Sequence, residues 1–148
     1  MRPTYLEVNL LQLKQNLEAI RTHVRGAKVM PMVKANAYGH GIEGVAPFIE
    51  PYVDYFGVAL VEEAIQLRQL GIKKPILVAG GTLIEQLPLF FEHDLILTAS
   101  SLDLLTASEQ LASSTRQRLK VHLKIDTGME RVGVHEYEAE EFIKASLA

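Results

Sequence analysis

One lysine interrupts an apolar, strand-like run in the segment MPMVKANAYGHG at residues 30–41. Side chains alternate across a strand, so Lys34 shares a face with Met30 and Met32, while Val33 lies on the other face. A lysine among apolar neighbours loses hydration of its ammonium, which favours the neutral amine that attacks aldehydes. The alternative is a lysine that reaches out of the strand end into water. Spacing alone leaves both interpretations open.

A second group of polar residues lies in VHLKIDTGMERVG at 121–133. Alternation places His122, Lys124 and Asp126 on one face of a strand, opposite an apolar face. An ammonium that points into a protein interior is costly unless it is paired. Arg131 follows seven residues after Lys124. The alternative is that Lys124 and Arg131 are ordinary surface residues.

Short β-rich runs and stretches with helical spacing alternate along the chain. The runs are Val29–Val33, Tyr55–Ala59, Ile76–Ala79, Leu95–Thr98 and Lys120–Ile125. Such alternation predicts parallel strands joined by right-handed crossovers, in an open doubly wound sheet or in a (β/α) barrel. A GxGxxG phosphate loop after the first run would favour the open sheet, and no such loop is present. A complete barrel needs about 250 residues, so a barrel would be represented here by about its first half.

Local signals predict where the helices begin and end. The predicted helices are one from about Leu10 to Val24 capped by Asn9, one from Glu62 to Leu70 ended by Gly71, two with capping boxes at Thr82–Glu85 and Ser100–Asp103, and one from Glu136 to Lys144. Pro88 predicts a kink or an early end in the third helix. The Glu62-Glu63 pair is interpreted as a solvated helix start, and Met30 and Met32 as core residues.

Composition narrows the class of protein. The chain has 148 residues, a net charge of −3, 48% apolar residues and no cysteine. Disulfides and thiolate metal sites are therefore excluded, and no basic patch suggests nucleic acid as a partner. No apolar stretch is long enough to span a bilayer, so a cytoplasmic protein without a membrane partner is the default expectation. The five histidines show no metal-binding spacing, and no metal is expected.

The stretch VKANAYGHG resembles the pyridoxal-phosphate attachment motif of alanine racemases almost letter for letter. The resemblance implies that Lys34 binds the cofactor through an imine link and serves as a catalytic residue. It also implies that Tyr38, four residues later, contacts the cofactor phosphate.

The block at 121–133 resembles a second motif of the same family. The resemblance implies that Lys124 is carbamylated, as in many members, which creates an anion that can hold an arginine. It places Arg131 beside the phenolic oxygen of the cofactor and the carboxylate of the substrate. Glu130 stands where the family usually has glycine. A carboxylate at this position is able to compete for the Arg131 guanidinium, and a side chain here limits the backbone, so the resemblance supports the placing of Arg131 less strongly than that of Lys34.

The segments YFGVALVEEAIQLRQLGI and KPILVAGG resemble the family's second and third strand–helix units, so the likeness runs along essentially the whole chain. It implies an α/β fold: the amino-terminal portion of a (β/α)8 TIM-type barrel, with about five βα units in residues 1–148. The carboxyl-terminal β domain is expected to be absent. The chain is therefore expected to be a fragment that has little or no racemase activity by itself.

The implied function is the conversion of L-alanine to D-alanine for peptidoglycan by a pyridoxal-phosphate enzyme. The complete protein is expected to be a homodimer, with a tyrosine of the partner subunit serving the second face of the substrate. One alternative is a non-catalytic barrel protein of pyridoxal-phosphate homeostasis. Another is a racemase for a different amino acid, such as serine.

Overall fold

A parallel sheet forms the wall of the molecule in the computed structural model, which describes residues 4–147. Its four strands are β1 (Phe56–Val58), β2 (Ile76–Val78), β3 (Leu95–Ala99) and β4 (Lys120–Leu123), and they are adjacent in sequence order. Every pair is parallel, and Phe56 aligns with Ile76, which in turn aligns with Leu95. Four of the five predicted runs thus contribute a short β-strand to this parallel wall.

The predicted first strand, Val29–Val33, lies beside β1 as an extended edge segment. The Val33 amide donates to the Gly57 carbonyl at 2.8 Å, and the Gly57 amide donates to the Pro31 carbonyl at 2.9 Å. A parallel bridge joins Met32 and Gly57. A Cβ atom on Gly57 would lie 2.3 Å from Met32 Sδ. A side chain at position 57 would therefore displace the Met32 thioether, which lies directly against the Gly57 backbone.

The predicted strand Lys120–Ile125 is divided at Lys124. β4 ends at Leu123, and the two-residue β5 (Ile125–Asp126) pairs with β6 (Val134–His135) in parallel. The Lys124 amide donates to Ala99 of β3 at 2.8 Å, and the Lys124 carbonyl accepts from Val134 at 3.0 Å. Lys124 therefore connects two neighbouring ladders instead of continuing one.

Helices alternate with the strands as a (β/α) chain requires. The helical segments are α1 (Leu10–His23), α2 (Lys34–Tyr38), α3 (Ile42–Ile49), α4 (Val61–Gln69), α5 (Leu87–Glu92), α6 (Leu102–Thr115) and α7 (Ala139–Ala145), with short 3-10 turns at Glu50–Tyr52, Ile84–Gln86 and Glu136–Glu138. In the described residues, no helix is long and apolar enough to cross a membrane.

Some helix-start predictions are confirmed and others are wrong. Asn9 caps α1, because its side-chain oxygen accepts from the Gln12 amide at 3.0 Å. Thr82 does not cap a helix: a 3-10 turn begins at Ile84, and α5 begins only at Leu87, which places Pro88 in the first turn, where proline is tolerated. Ser101, one residue after the predicted position, caps α6.

The main apolar core fills the space between the helices and one face of the wall, and a smaller cluster contains Ala99, Leu105 and Phe142. The fully buried members of the main core include Phe56, Ile76, Leu97, Phe90 and Leu67. The prediction that Met30 and Met32 belong to the core is wrong: Met30 is 37% exposed, Met32 is half-buried, and neither is in the core cluster. The fold is α/β with parallel strands, the incomplete barrel wall that the sequence predicted.

Candidate active site

Lys34 lies where the first extended segment ends and the turn α2 begins. The next four residues, from Ala35 to Tyr38, all have φ between 51° and 56°. None of them is glycine, and a left-handed conformation costs roughly 1–2 kcal/mol for each such residue. Because this turn is unfavourable by itself, contacts with the rest of the fold must hold it in place.

The far end of α2 is held by Asn36. Its backbone carbonyl accepts hydrogen bonds from the Gly39 and Gly41 amides at 3.1 and 3.0 Å. Its side-chain oxygen accepts from the Ile42 amide at 2.8 Å, which satisfies a donor at the start of α3. His40 also closes the turn, since its Nδ1 lies 2.8 Å from the Ala37 carbonyl oxygen.

The near end of α2 is held by Glu63. Its Oε1 accepts from the Ala35 amide at 2.7 Å, and its Oε2 accepts from the Ala59 and Leu60 amides at 2.9 and 3.1 Å. Burial raises the pKa of the Glu63 carboxyl, but the three amides and the charge of Lys34 outweigh burial and hold the pKa below its usual value. Interpreting Glu63 as a solvated helix residue was therefore wrong.

Little in the local sequence indicates that Glu63 holds the start of α2. It occupies the third position of α4, where glutamate forms half of a capping box, but Leu60 at the N-cap cannot supply the other half. The partner that matters, Ala35, is 28 residues away in the chain.

The Lys34 side chain is half-buried, and its Nζ lies 6.0 Å from the centre of the Tyr38 ring. Within residues 4–147 the Lys34 ammonium forms no hydrogen bond or ion pair. Tyr38 is 58% exposed. The structure therefore brings together the two residues predicted to bind a cofactor, and it leaves the amine without a competing partner.

Asp126 organises the loop that carries Arg131. Its Oδ1 accepts from the Gly128 and Glu130 amides at 2.8 and 3.1 Å, and its Oδ2 accepts from the Arg131 amide at 3.0 Å. These donors hold the pKa of the Asp126 carboxyl well below its usual range. The sequence Asp-Thr-Gly is a typical signal for such a turn, although it was not assigned this role beforehand.

Arg131 itself is exposed, and in the described part of the chain its guanidinium makes no hydrogen bond or ion pair. In the described residues, the Glu130 carboxylate makes no ion pair with Arg131 and lies 3.7 Å from His135 Nδ1. Glu130 has a φ of 56°. This left-handed backbone is the physical reason why glycine would suit the position.

Lys124 is half-buried, and its Nζ lies 3.4 Å from the Ile125 carbonyl oxygen. A Cβ atom on Gly133 would lie 2.8 Å from the Lys124 carbonyl oxygen and 3.0 Å from Lys124 Cγ, so the chain passes tightly over this lysine. The structure does not place Lys124 in hydrogen-bond contact with Arg131. His122 is exposed.

Each candidate residue follows the carboxyl end of a strand or extended segment. Lys34 follows the first extended segment, Glu63 follows β1 and Arg131 follows β5. The carboxyl ends of parallel strands form the rim where barrel enzymes carry their active sites. Between residues 4 and 147, no three histidine or acidic side chains are grouped as a metal site would require.

The fold defines the chain as part of a (β/α) barrel, with polar side chains where the strands end. Residues 8–148 match the sequence family described as "Alanine racemase, N-terminal domain". The chain belongs to this family. It is 39% identical over 147 residues to alanine racemase of Streptococcus uberis and 42% identical over 140 residues to alanine racemase 1 of Caldanaerobacter subterraneus subsp. tengcongensis. These two matches include 99% and 93% of this chain, but only 40% and 36% of the length of the relatives.

Solved structures give the same result. Alanine racemase of Clostridium difficile 630 superimposes with a TM-score of 0.88 at 37% identity, covering 98% of this chain and 39% of the other. A histidine racemase of Leuconostoc mesenteroides subsp. sake superimposes with a TM-score of 0.83 at 31% identity, covering 90% and 36%. The fold is thus shared by racemases whose names specify different amino acids.

Proposed function

We propose that this protein is a pyridoxal-phosphate-dependent racemase that interconverts L- and D-alanine. The observation that carries the proposal is the Lys34 amine, half-buried and unpaired within the described residues, at the carboxyl end of the first strand of a barrel wall. Membership of the alanine racemase family supports it.

The residues present fit the cofactor. Lys34 offers a primary amine for the aldehyde, and the Tyr38 phenol on the same turn is exposed and able to donate to a phosphate oxygen. Pyridoxal phosphate, when bound, delocalises the negative charge left on a substrate carbon that has lost its proton. Lys34 binds the cofactor and moves the α-proton on one face of the substrate.

Arg131 binds the substrate carboxylate in this proposal. Its guanidinium is exposed on a loop fixed by Asp126, and it presents a planar fork of donors. Lys124 is proposed to be carbamylated, which would replace a cation by an anion near the arginine loop. We further propose that the complete protein is a cytoplasmic homodimer, whose partner subunit supplies the residue for the opposite face.

Two alternatives remain as outcomes of an experiment. The first is a racemase for another amino acid, which the likeness to a histidine racemase favours. The second is a non-catalytic carrier of pyridoxal phosphate. Incubation of the complete protein with alanine, serine or histidine in deuterated water distinguishes them, because racemisation replaces the α-proton by deuterium. Exchange that is fastest with alanine supports the proposal, and no exchange with any of the three supports the carrier.

The cofactor assignment is tested by adding pyridoxal phosphate, reducing with borohydride and mapping the modified peptide by mass spectrometry. We expect the adduct at Lys34 and its loss in Lys34→Ala. Lys28→Ala is the matched control, since Lys28 is exposed and lies six residues upstream. A stable adduct at another lysine in the unsubstituted protein would remove the assignment.

A further inference from the structure

We propose that Glu63 is the positioning residue for Lys34: its carboxylate fastens the start of the lysine turn to the end of β1. The inference rests on the proposed function only in that Lys34 is the cofactor-binding amine. The geometry of the carboxylate itself stands independently of the reaction.

The two oxygens of Glu63 serve two different segments. Oε1 accepts from the Ala35 amide, whose peptide bond joins it directly to Lys34. Oε2 accepts from the Ala59 and Leu60 amides, at the point where the chain leaves β1. One rigid, planar carboxylate therefore sets the distance between the backbone at Lys34 and the neighbouring strand.

The turn needs this support because its backbone is strained. Ala35 is the first of four consecutive residues with positive φ. In an isolated chain, each of these residues favours negative φ. Within residues 4–147 the Ala35 amide has no other hydrogen-bond acceptor. Without Glu63, the Ala37 amide would still donate to the Val33 carbonyl across the turn at 2.9 Å, but the Lys34–Ala35 peptide would lose its link to the end of β1.

An ionised carboxylate suits this position better than any neutral side chain. It is purely an acceptor, so both oxygens can receive amide protons. A glutamine of the same shape would turn one NH2 group towards a backbone donor and lose hydrogen bonds on that side. The negative charge also lies near the Lys34 ammonium, as the effect of Lys34 on the Glu63 carboxyl shows.

The adjacent Glu62 provides the contrast. It is exposed, and within residues 4–147 its Oε1 accepts only from Gln86 Nε2, at 3.3 Å. Gln86 provides a second comparison, because its Oε1 accepts from the Leu83 amide at 3.0 Å and caps the next helical segment. Removal of the Gln86 side chain thus removes a cap of the same type at another strand–helix junction.

The experiment compares Glu63→Gln with Glu62→Gln and Gln86→Ala in two measurements. The first is amide hydrogen exchange at Ala35 in protein free of pyridoxal phosphate. The second is the rate of covalent attachment of pyridoxal phosphate to Lys34. In Glu63→Gln we expect exchange at Ala35 to be about tenfold faster and attachment to be about tenfold slower, as the loss of one charge-assisted hydrogen bond predicts. Both controls should stay within about twofold of the unsubstituted protein.

The outcomes separate the two proposals. Unchanged exchange and attachment in Glu63→Gln would overturn the positioning role. A fall in attachment in Gln86→Ala as large as that in Glu63→Gln would also overturn it, because general loss of stability would then explain both. If the unsubstituted protein attaches no pyridoxal phosphate at Lys34, the proposed function fails, while exchange at Ala35 still decides the role of Glu63.

A measurement without any substitution covers the case in which Glu63→Gln does not fold. The Glu63 carboxyl and the Ala35 amide are followed together by NMR as the pH is lowered. Both resonances should move with one shared midpoint, below the ordinary value for glutamate. An Ala35 amide that ignores the titration of Glu63 would contradict the proposed contact.

Discussion

Two carboxylates fix the backbone around the candidate catalytic residues, and both use amides as partners. Glu63 receives three N–H groups beside Lys34, and Asp126 receives three in the loop that leads to Arg131. An ionised carboxylate has acceptor sites on both oxygens, so it can close a loop without a neighbouring cation. In this way Lys34 and Arg131 are positioned while their own charged groups stay available.

Asp126 predicts a specific dependence of stability on pH. Because its folded pKa lies below the unfolded value of about 4, its contribution to stability is present above about pH 4 and is lost as pH falls through the folded pKa. Asp126→Asn should therefore be less stable at neutral pH and should show a smaller loss of stability on acidification. Urea unfolding at several pH values measures both effects, and parallel curves for the two proteins would contradict this expectation.

Glu130 predicts a stabilising substitution. Glu130→Gly removes a left-handed non-glycine residue, which costs roughly 1–2 kcal/mol, and adds the flexibility of glycine, which costs roughly 0.5–1 kcal/mol. We expect the free energy of unfolding to rise by about 0.5 kcal/mol. Glu140→Gly, the same change inside α7, should lower it by about 1 kcal/mol. A decrease of equal size in both variants would show that the backbone at 130 is not strained.

At the scale of elements, the left-handed turn α2 is the unusual feature. A run of Ala35, Asn36, Ala37 and Tyr38 has no local preference for positive φ beyond that of asparagine. The turn exists because both of its ends are fastened, by Glu63 at the start and by Asn36 at the beginning of α3. The strained segment lies directly at the proposed cofactor lysine, where strain is commonly found in functional sites.

Asn36 predicts how the turn and α3 depend on each other. Asn36→Ala removes the acceptor for the Ile42 amide and should destabilise the protein by about 1–2 kcal/mol, as the loss of a cap does. It should also increase exchange at Ile42 and slow the attachment of pyridoxal phosphate. Asn9→Ala, the loss of a cap on α1, should cost about 1 kcal/mol without slowing attachment. Equal effects of both variants on attachment would argue against the coupling.

At the scale of the molecule, the described wall has open edges. The first extended segment pairs with β1 on one side, and within residues 4–147 it has no strand on the other. The side chain of Met30, which belongs to this segment, is exposed. An unpaired parallel edge with apolar side chains favours pairing with another chain.

The open edge predicts self-association of the 148-residue polypeptide by itself. Sedimentation velocity over a concentration series should show species larger than a monomer. Met30→Lys, a charge on the edge segment, should reduce association. Leu11→Lys, on an exposed position of α1, should not. A monomer at every concentration would contradict the prediction.

The same polypeptide should racemise alanine far more slowly than a complete racemase, and comparable turnover would overturn that expectation.

The sequence by itself determined the positions of β1 to β4, that these strands are parallel, and that Lys34 stands where an extended segment ends. It also determined the cap at Asn9. These features follow from alternation, helical spacing and short-range hydrogen bonds, which involve residues close in the chain. The sequence did not predict β6 or the division of the last strand at Lys124. The family followed from the long motif around Lys34.

Only the tertiary structure decided how the site is held. The left-handed turn, the contact between Glu63 and Ala35, and the placing of the Glu130 carboxylate on His135 contradict or exceed local preference. Met30 and Met32, which were predicted to be core residues, are partly exposed for the same kind of reason. The burial of a residue depends on which elements cover its face, and that is fixed by contacts between residues distant in sequence.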